Sequence, residues 1–260
     1  MNIFFYIIIF IMGITFGSFY TLAVYRVPKG EDIMYTHSYC PNCQHRLGFL
    51  DLIPVFSYIF LGAKCRYCKQ KIRPRYLILE IISGLFFVVI AYLMKLSIYD
   101  VNIIEYIEFF FLILYFTFII LISGINKENL TISKPVLLYG IVISIMYIIY
   151  LYIVEKTSIY RYVIYLILSI LFFIIGKINN KKHNGVFLLI STICIMVIFL
   201  QEFIVISSII TAIIAISIYS IIKKVDNANK ENQEFKKIAF YISIYNIIYF
   251  IIVLANYKFA

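Results

Sequence analysis

Eight apolar stretches govern what this chain can fold into. They recur over residues 2–25, 76–94, 108–125, 135–154, 162–176, 185–200, 203–222 and 238–254. Runs of about 17 to 25 apolar residues are long enough to cross a bilayer. In hydrocarbon no water satisfies backbone groups, so each run is expected to be a helix that bonds to itself. The chain is 63% hydrophobic and 14% charged, with a mean hydropathy of +0.97, which excludes an ordinary soluble globule. The predicted fold class is an all-α polytopic membrane protein with about eight transmembrane helices and one polar loop module. The first run lacks a basic start and ends in Arg26-Val-Pro28 with no small-residue cleavage pattern. It is therefore expected to be a retained helix rather than a signal peptide.

The polar loop, residues 26–75, carries two Cys-x-x-Cys pairs: Cys40-Pro-Asn-Cys43 and, twenty-one residues later, Cys65-Arg-Tyr-Cys68. Two such knuckles fit a tetrahedral zinc site with each pair supplying two sulfurs. Four thiolates leave no open position, so this zinc would hold the loop's fold and do no chemistry. The competing readings are two disulfides or four unrelated thiols. The fifth cysteine, Cys194, falls inside an apolar run and is expected to pack there as a small apolar residue.

Lysine and arginine predict the orientation. Nineteen of the 23 fall in the loops after the first, third, fifth and seventh runs; Lys95, Lys156, Arg161 and Lys258 lie on the other side. This bias places the cysteine loop in the cytoplasm and both termini outside. A reducing cytoplasm favours zinc over disulfides. The net charge of +10 follows the loops and forms no separate domain, so its expected partner is the lipid bilayer, with no nucleic acid.

Several motifs recur in one order: Gly17-Ser-Phe-Tyr-Thr-Leu-Ala-Val-Tyr-Arg26-Val-Pro28, the first cysteine pair, Ile53-Pro54-Val-Phe-Ser57-Tyr58, the second pair, Ile72-Arg73-Pro74-Arg75-Tyr76, and then Glu80. Over residues 13 to about 90 this order resembles the type IV prepilin peptidases, membrane aspartic proteases that trim leader peptides from pilin precursors. The resemblance implies a bacterial inner-membrane protein that meets prepilins or pseudopilins at the cytoplasmic face. It also implies methylation of the new N-terminus from S-adenosylmethionine in many members. The chain then divides into a first helix (1–25), a zinc module (26–75) and a seven-helix domain resembling the aspartic peptidase domain (76–260).

Beyond residue 90 the sequence departs from that pattern. The family uses two aspartates at cytoplasmic helix ends, one as base toward water and the other carrying the proton. Here the first segment reads Ile122-Ser-Gly-Ile-Asn126-Lys-Glu-Asn, and the second reads Lys181-Lys-His-Asn184-Gly. Alignment puts Asn126 and Asn184 at the two aspartate positions, and the flanking Gly-x-Gly and Pro-Asp are missing. An amide can hydrogen-bond water but cannot take its proton at neutral pH. The four aspartates, Asp32, Asp51, Asp100 and Asp226, all lie away from these helix ends. Glu128 and His183 lie close to them and read as solvated or interfacial charges. Glu80, at the start of the second run, reads equally as a functional carboxylate or as a partner of Arg73 or Arg75 that orients the loop.

The favoured expectation is a prepilin-peptidase relative without protease activity that binds prepilins or components of a pilus or secretion machine. The alternatives are an active peptidase whose catalytic pair has moved, and a membrane zinc-ribbon adaptor. The adaptor is weakest, because the loop lacks aromatics stacked among its basic residues.

Overall fold

The computed structural model describes residues 3–99, 101–155, 159–178, 184–200, 202–222 and 236–259. It is helical apart from the 26–75 loop. The long helices are α1 (Ile3–Arg26), α3 (Arg75–Leu93), α4 (Ile103–Asn129), α5 (Lys134–Tyr150), α6 (Tyr160–Ile178), α7 (Asn184–Phe199), α8 (Glu202–Ile222) and α9 (Ile238–Phe259); α2 (Phe56–Phe60) is a single turn within the loop. Each of the eight apolar runs is thus one helix, and α5 ends in a π-helical turn, Leu151–Glu155. Among the described residues, seven are long and apolar enough to cross a membrane. The remaining one, α7, has 16 residues, or about 24 Å at 1.5 Å per residue, and falls short of a 30 Å hydrocarbon layer.

The chain divides into two compact units, residues 1–109 and 110–260, with the boundary inside α4. In the first unit, α1 lies against α3 so closely that only glycine fits at the crossing. A Cβ on Gly13 would come within 2.7 Å of the Gly84 Cα, and one on Gly17 within 2.6 Å of the Glu80 Cα. A Cβ on Gly84 would come within 2.6 Å of the Phe10 ring. Gly13 and Gly17 are four apart on one face, the small-residue spacing that lets helices approach closely in lipid, where apolar burial gives no net drive. Gly17→Leu should therefore force the pair apart. Overpacking of this kind costs about 1–3 kcal/mol or more, and here the obstacle is backbone, which does not rotate away. The expected readout is a lower unfolding temperature in detergent and faster proteolysis of the 26–75 loop, which hangs from both helices.

The second unit buries aromatic and small polar side chains together. Tyr115 of α4, Phe199 of α7 and Tyr147 of α5 stack in series, with ring centroids 4.8 Å and 4.7 Å apart. The Tyr115 hydroxyl donates to Asn246 Oδ1 of α9 at 2.7 Å. Between α6 and α7 the Ser169 and Ser191 hydroxyls lie 3.1 Å apart, and Ser191 Oγ also donates to the Ser169 carbonyl at 3.0 Å. Such bonds tie helices where lipid offers no competing partner.

Candidate metal centre and helix-end site

The two knuckles are built alike, 25 positions apart. In the first, Cys40 N–H donates to His45 O at 3.0 Å, Gln44 N–H to Cys40 O at 2.9 Å, and Leu47 N–H to Ser38 O at 2.8 Å. In the second, Cys65 N–H donates to Gln70 O at 2.9 Å, Lys69 N–H to Cys65 O at 3.1 Å, and Ile72 N–H to Ala63 O at 2.7 Å. Gln44 and Lys69 both adopt the left-handed conformation, with φ of 57° and 58°. Side-chain-bearing residues pay for that conformation in steric strain of about 1–2 kcal/mol each, so each turn is shaped by what it holds.

The turns bring Cys40, Cys43, Cys65 and Cys68 together, with all four sulfurs within 4.8 Å of one another. Cys40 Sγ and Cys68 Sγ are 3.8 Å apart. All five cysteines are free, so no disulfide joins them. A tetrahedron with metal–sulfur bonds of about 2.3 Å has edges of about 3.8 Å. The four thiols can therefore hold one metal ion, and an all-thiolate tetrahedral set suits zinc. The Gln70 N–H, then the Asn42 amide at 3.6 Å, hold the Cys68 thiol below its ordinary value. At Cys43 the His45 N–H is outweighed by burial and the neighbouring sulfurs, which push that thiol up, so of these two Cys68 is the one whose thiolate is favoured.

Other side chains hold the knuckles together. The rings of His45 and Tyr67, one from each turn, stack with centroids 3.6 Å apart. Arg66 Nε donates to Asp51 Oδ1 at 2.6 Å, and Asp51 Oδ2 accepts from Gly48 N–H at 3.1 Å. Partial burial pushes the Asp51 carboxyl up, but the Arg66 hydrogen bond and charge, with the Gly48 N–H, hold it below the usual carboxylate range. Arg26, at the end of α1, is buried and gives three hydrogen bonds, each 3.0 Å, to the carbonyls of Asp32, Thr36 and His37. Asp32 in turn caps the N–H groups of Met34, Tyr35 and Thr36, and the Met34 N–H leads in lowering its carboxyl.

The pH dependence follows from the direction of these shifts. A carboxyl depressed by folding stabilises the fold fully above its unfolded value, near 4, and that contribution is lost as pH falls through the lower folded value. The protease resistance that wild type holds over Asp51→Asn near neutral pH should therefore shrink below about pH 4. An advantage that persists undiminished under acid conditions would contradict the role given to the Asp51–Arg66 pair.

Glu80 is buried on α3, and its carboxylate accepts from Val55 N–H at 2.7 Å and from the Ser18 hydroxyl of α1. It orients the loop through a backbone N–H, where the sequence suggested Arg73 or Arg75. Val55 is at the centre of a γ-turn: φ is 66°, ψ is −53°, and Phe56 N–H donates back to Pro54 O at 2.7 Å. That conformation is rare and strained, more so for a β-branched residue, and the Glu80 bond helps fix it.

At the other expected site, Asn126 is 2% exposed at the end of α4. Its Nδ2 donates to Lys236 O at 3.0 Å and reaches Thr131 O at 3.5 Å. Its Oδ1 accepts from Phe240 N–H at 3.1 Å, near the start of α9. Both ends of the amide are thus used: Oδ1 shares the Phe240 N–H with Lys237 O in the first turn of α9, and Nδ2 donates to the carbonyl of Lys236 just before that helix. Asn184 begins α7, but its side chain falls outside the described residues, as do His183, Asp100 and Asp226. Glu128 is exposed and Cys194 buried. The sequence shows Arg26 as a loop charge and as part of the Gly17–Pro28 motif but not its three carbonyl partners, and it does not show the Tyr115–Asn246 pair, for which an asparagine amid the apolar residues of the last run was the available signal.

The family match to known proteins falls within the first unit. Residues 11–94 match the family model "Bacterial Peptidase A24 N-terminal domain". The chain is 35% identical over 92 residues to a prepilin leader peptidase/N-methyltransferase of Klebsiella pneumoniae, covering 33% of this chain and 40% of that protein. It is 37% identical over 83 residues to one of Myxococcus xanthus, covering 32% and 25%. Against one of Bacillus subtilis it is 36% identical over 80 residues, covering 31% and 32%. The matches therefore span two fifths or less of these relatives' length. No solved structure matches the chain.

Proposed function

Because the chain is related through residues 11–94 to the bacterial peptidase A24 family, the prepilin peptidases, we propose that it binds prepilin-type precursors in the bacterial inner membrane without cutting them. In this reading the 26–75 module faces the cytoplasm around one structural zinc, both termini lie outside, and residues 76–260 are a peptidase-like helical domain that has lost its acid pair. The observation that carries it is Asn126. A working aspartate must point a free carboxylate at water, whereas this side chain is buried and committed at both ends to the start of α9. By sequence alignment Asn184 stands where the second carboxylate would be.

The test places purified protein in liposomes with prepilins of the same cell, beside an aspartate-bearing family member. The expected result is no leader removal, with the intact precursor co-purifying. Leader removal abolished by Glu128→Gln or Asp226→Asn would mean that the catalytic pair has moved and would overturn the reading. Methyl transfer from S-adenosylmethionine to pre-trimmed pilin would place this chain among the transferases that resemblance implies.

A further inference from the structure

The stretch between the two knuckles carries an apolar surface that the zinc module does not bury. Phe49, Leu50, Leu52, Phe56, Ile59 and Phe60 are all exposed, Phe49 to 82% and Phe60 to 83%. A polar loop in water does not ordinarily leave six large apolar side chains exposed within twelve residues. The stretch 49–62 contains one charge, Asp51, and its side chain is 5% exposed, turned in toward Arg66 and Gly48. No charge from this run therefore faces outward.

The position of the surface is fixed by the Glu80–Val55 bond. Val55 lies between Leu52 and Phe56, and its N–H is bonded to a carboxylate on a candidate membrane span, Arg75–Leu93. That helix has 19 residues, or about 28 Å, close to the 30 Å hydrocarbon thickness. Arg75 therefore marks the hydrocarbon edge, and Glu80, five positions on, lies about 7.5 Å deeper. The Ser18 hydroxyl of α1 meets Glu80 at the same level, eight residues before α1 ends at Arg26. The apolar surface is thus held at the boundary between headgroups and acyl chains, where amphipathic segments seat their apolar faces about 5–10 Å deep.

Beside it opens a cavity of 340 Å³ lined by Tyr58, Lys64, Lys71 and Arg73, among others. Three exposed cationic residues border this largely apolar cavity, next to an apolar surface and at the mouth of a membrane helix, a setting that matches a phospholipid of negative charge: phosphate at the outward lysines and arginine, acyl chains along the apolar wall and the phenylalanines. Pro74 also lines the cavity, and Arg75 begins α3 directly after it, so the basic lining runs on into the membrane edge.

We propose that residues 49–62 form an in-plane membrane anchor for the metal module, seating Phe49, Leu50, Phe56 and Phe60 in the lipid interface and holding the headgroup of an anionic phospholipid between Lys64, Lys71 and Arg73. The occupant is the bilayer itself rather than a passing peptide.

The chain contains no tryptophan, so Phe60→Trp places one fluorescent reporter at the centre of the surface; the bulkier ring faces open space and keeps the side chain apolar. The full-length variant is reconstituted in nanodiscs with brominated phosphatidylglycerol or brominated phosphatidylcholine. The expected result is blue-shifted emission, poor quenching by iodide from the water side, stronger quenching by shallow than by deep bromines, and stronger quenching by the glycerol than by the choline lipid. In Lys64→Gln/Lys71→Gln/Arg73→Gln the headgroup preference should be lost while quenching by either lipid persists. Emission of a water-exposed tryptophan, open to iodide and untouched by bromines, would overturn the proposal, as would protection that appears only when a prepilin peptide is added. Equal quenching by both lipids in the parent Phe60→Trp protein would overturn the headgroup assignment. Phe49→Trp repeats the measurement from the other side of the γ-turn, so a local effect of one substitution cannot decide the outcome.

Discussion

Cys65→Ser is expected to strip the chain of its metal and to open residues 26–75 to protease while leaving the helices in the membrane. The four sulfurs, within 4.8 Å of one another, come from two turns that share no hydrophobic core. Beyond the metal, the knuckles are joined by the His45–Tyr67 ring stack and by the Asn42 amide on Cys68 Sγ at 3.6 Å, and Arg66 ties the second knuckle to Asp51 in the stretch between them. Hydrogen bonds of this kind contribute about 0.5–3 kcal/mol each, those to charged groups at the upper end, whereas structural zinc in small domains contributes an apparent 10–16 kcal/mol at neutral pH. Losing one thiolate breaks the tetrahedral set, so metal content measured on purified protein should fall from one zinc per chain to none. Limited proteolysis should then cut within 26–75. The helices should remain, because their backbone bonds are internal and do not depend on the loop. Cys194→Ser is the control: that thiol lies on α7, outside the cluster, and should leave zinc content unchanged. A Cys65→Ser protein with full zinc and an intact loop would show that the four-thiolate centre does not organise this module.

What the sequence made legible was set by length scale. An apolar run is a property of twenty neighbours, so all eight helices were readable, with ends displaced by only a few residues. The largest change is α4, expected over 108–125 and found over Ile103–Asn129. Its extra turns carry polar residues such as Glu105 and Asn126, which a hydropathy criterion discards although they remain helical. The knuckles were readable because their ligands are local pairs at fixed spacing. The supports were not, because each joins residues distant in sequence: Val55 with Glu80, Asp51 with Arg66, Asn126 with Phe240. Nothing in the spacing of Arg26 shows that it collects three carbonyls between residues 32 and 37. Nor does Val55 in Ile53-Pro54-Val-Phe signal a strained turn, since the strain is held by a carboxylate 25 positions on.

Asn126→Asp, alone or with Asn184→Asp, is expected to weaken the fold and to restore no cleavage. The intuitive expectation is the reverse, since the double variant returns both carboxylates to the positions the family resemblance assigns. The geometry at residue 126 argues against it. The amide donates to Lys236 O at 3.0 Å, and an ionised aspartate would set oxygen against oxygen there, with Thr131 O on the same side. It could keep that bond only by holding a proton, which is the wrong form for activating water. An uncompensated buried polar group costs about 1–3 kcal/mol, and a buried charge more. The unfolding temperature in detergent should therefore drop, while Asn126→Gln, which keeps an amide but lengthens the side chain, separates loss of hydrogen-bonding chemistry from loss of fit. The bond to Phe240 N–H survives in the aspartate variant, so the start of α9 should stay capped and the loss should be partial rather than complete. Cleavage by the double variant at 10² times the parent's rate or more, within the range one placed acid or base supplies, would show that the site is a peptidase lacking only its carboxylates. A destabilised, inactive double variant would instead mean that this chain has rebuilt the helix end around an amide.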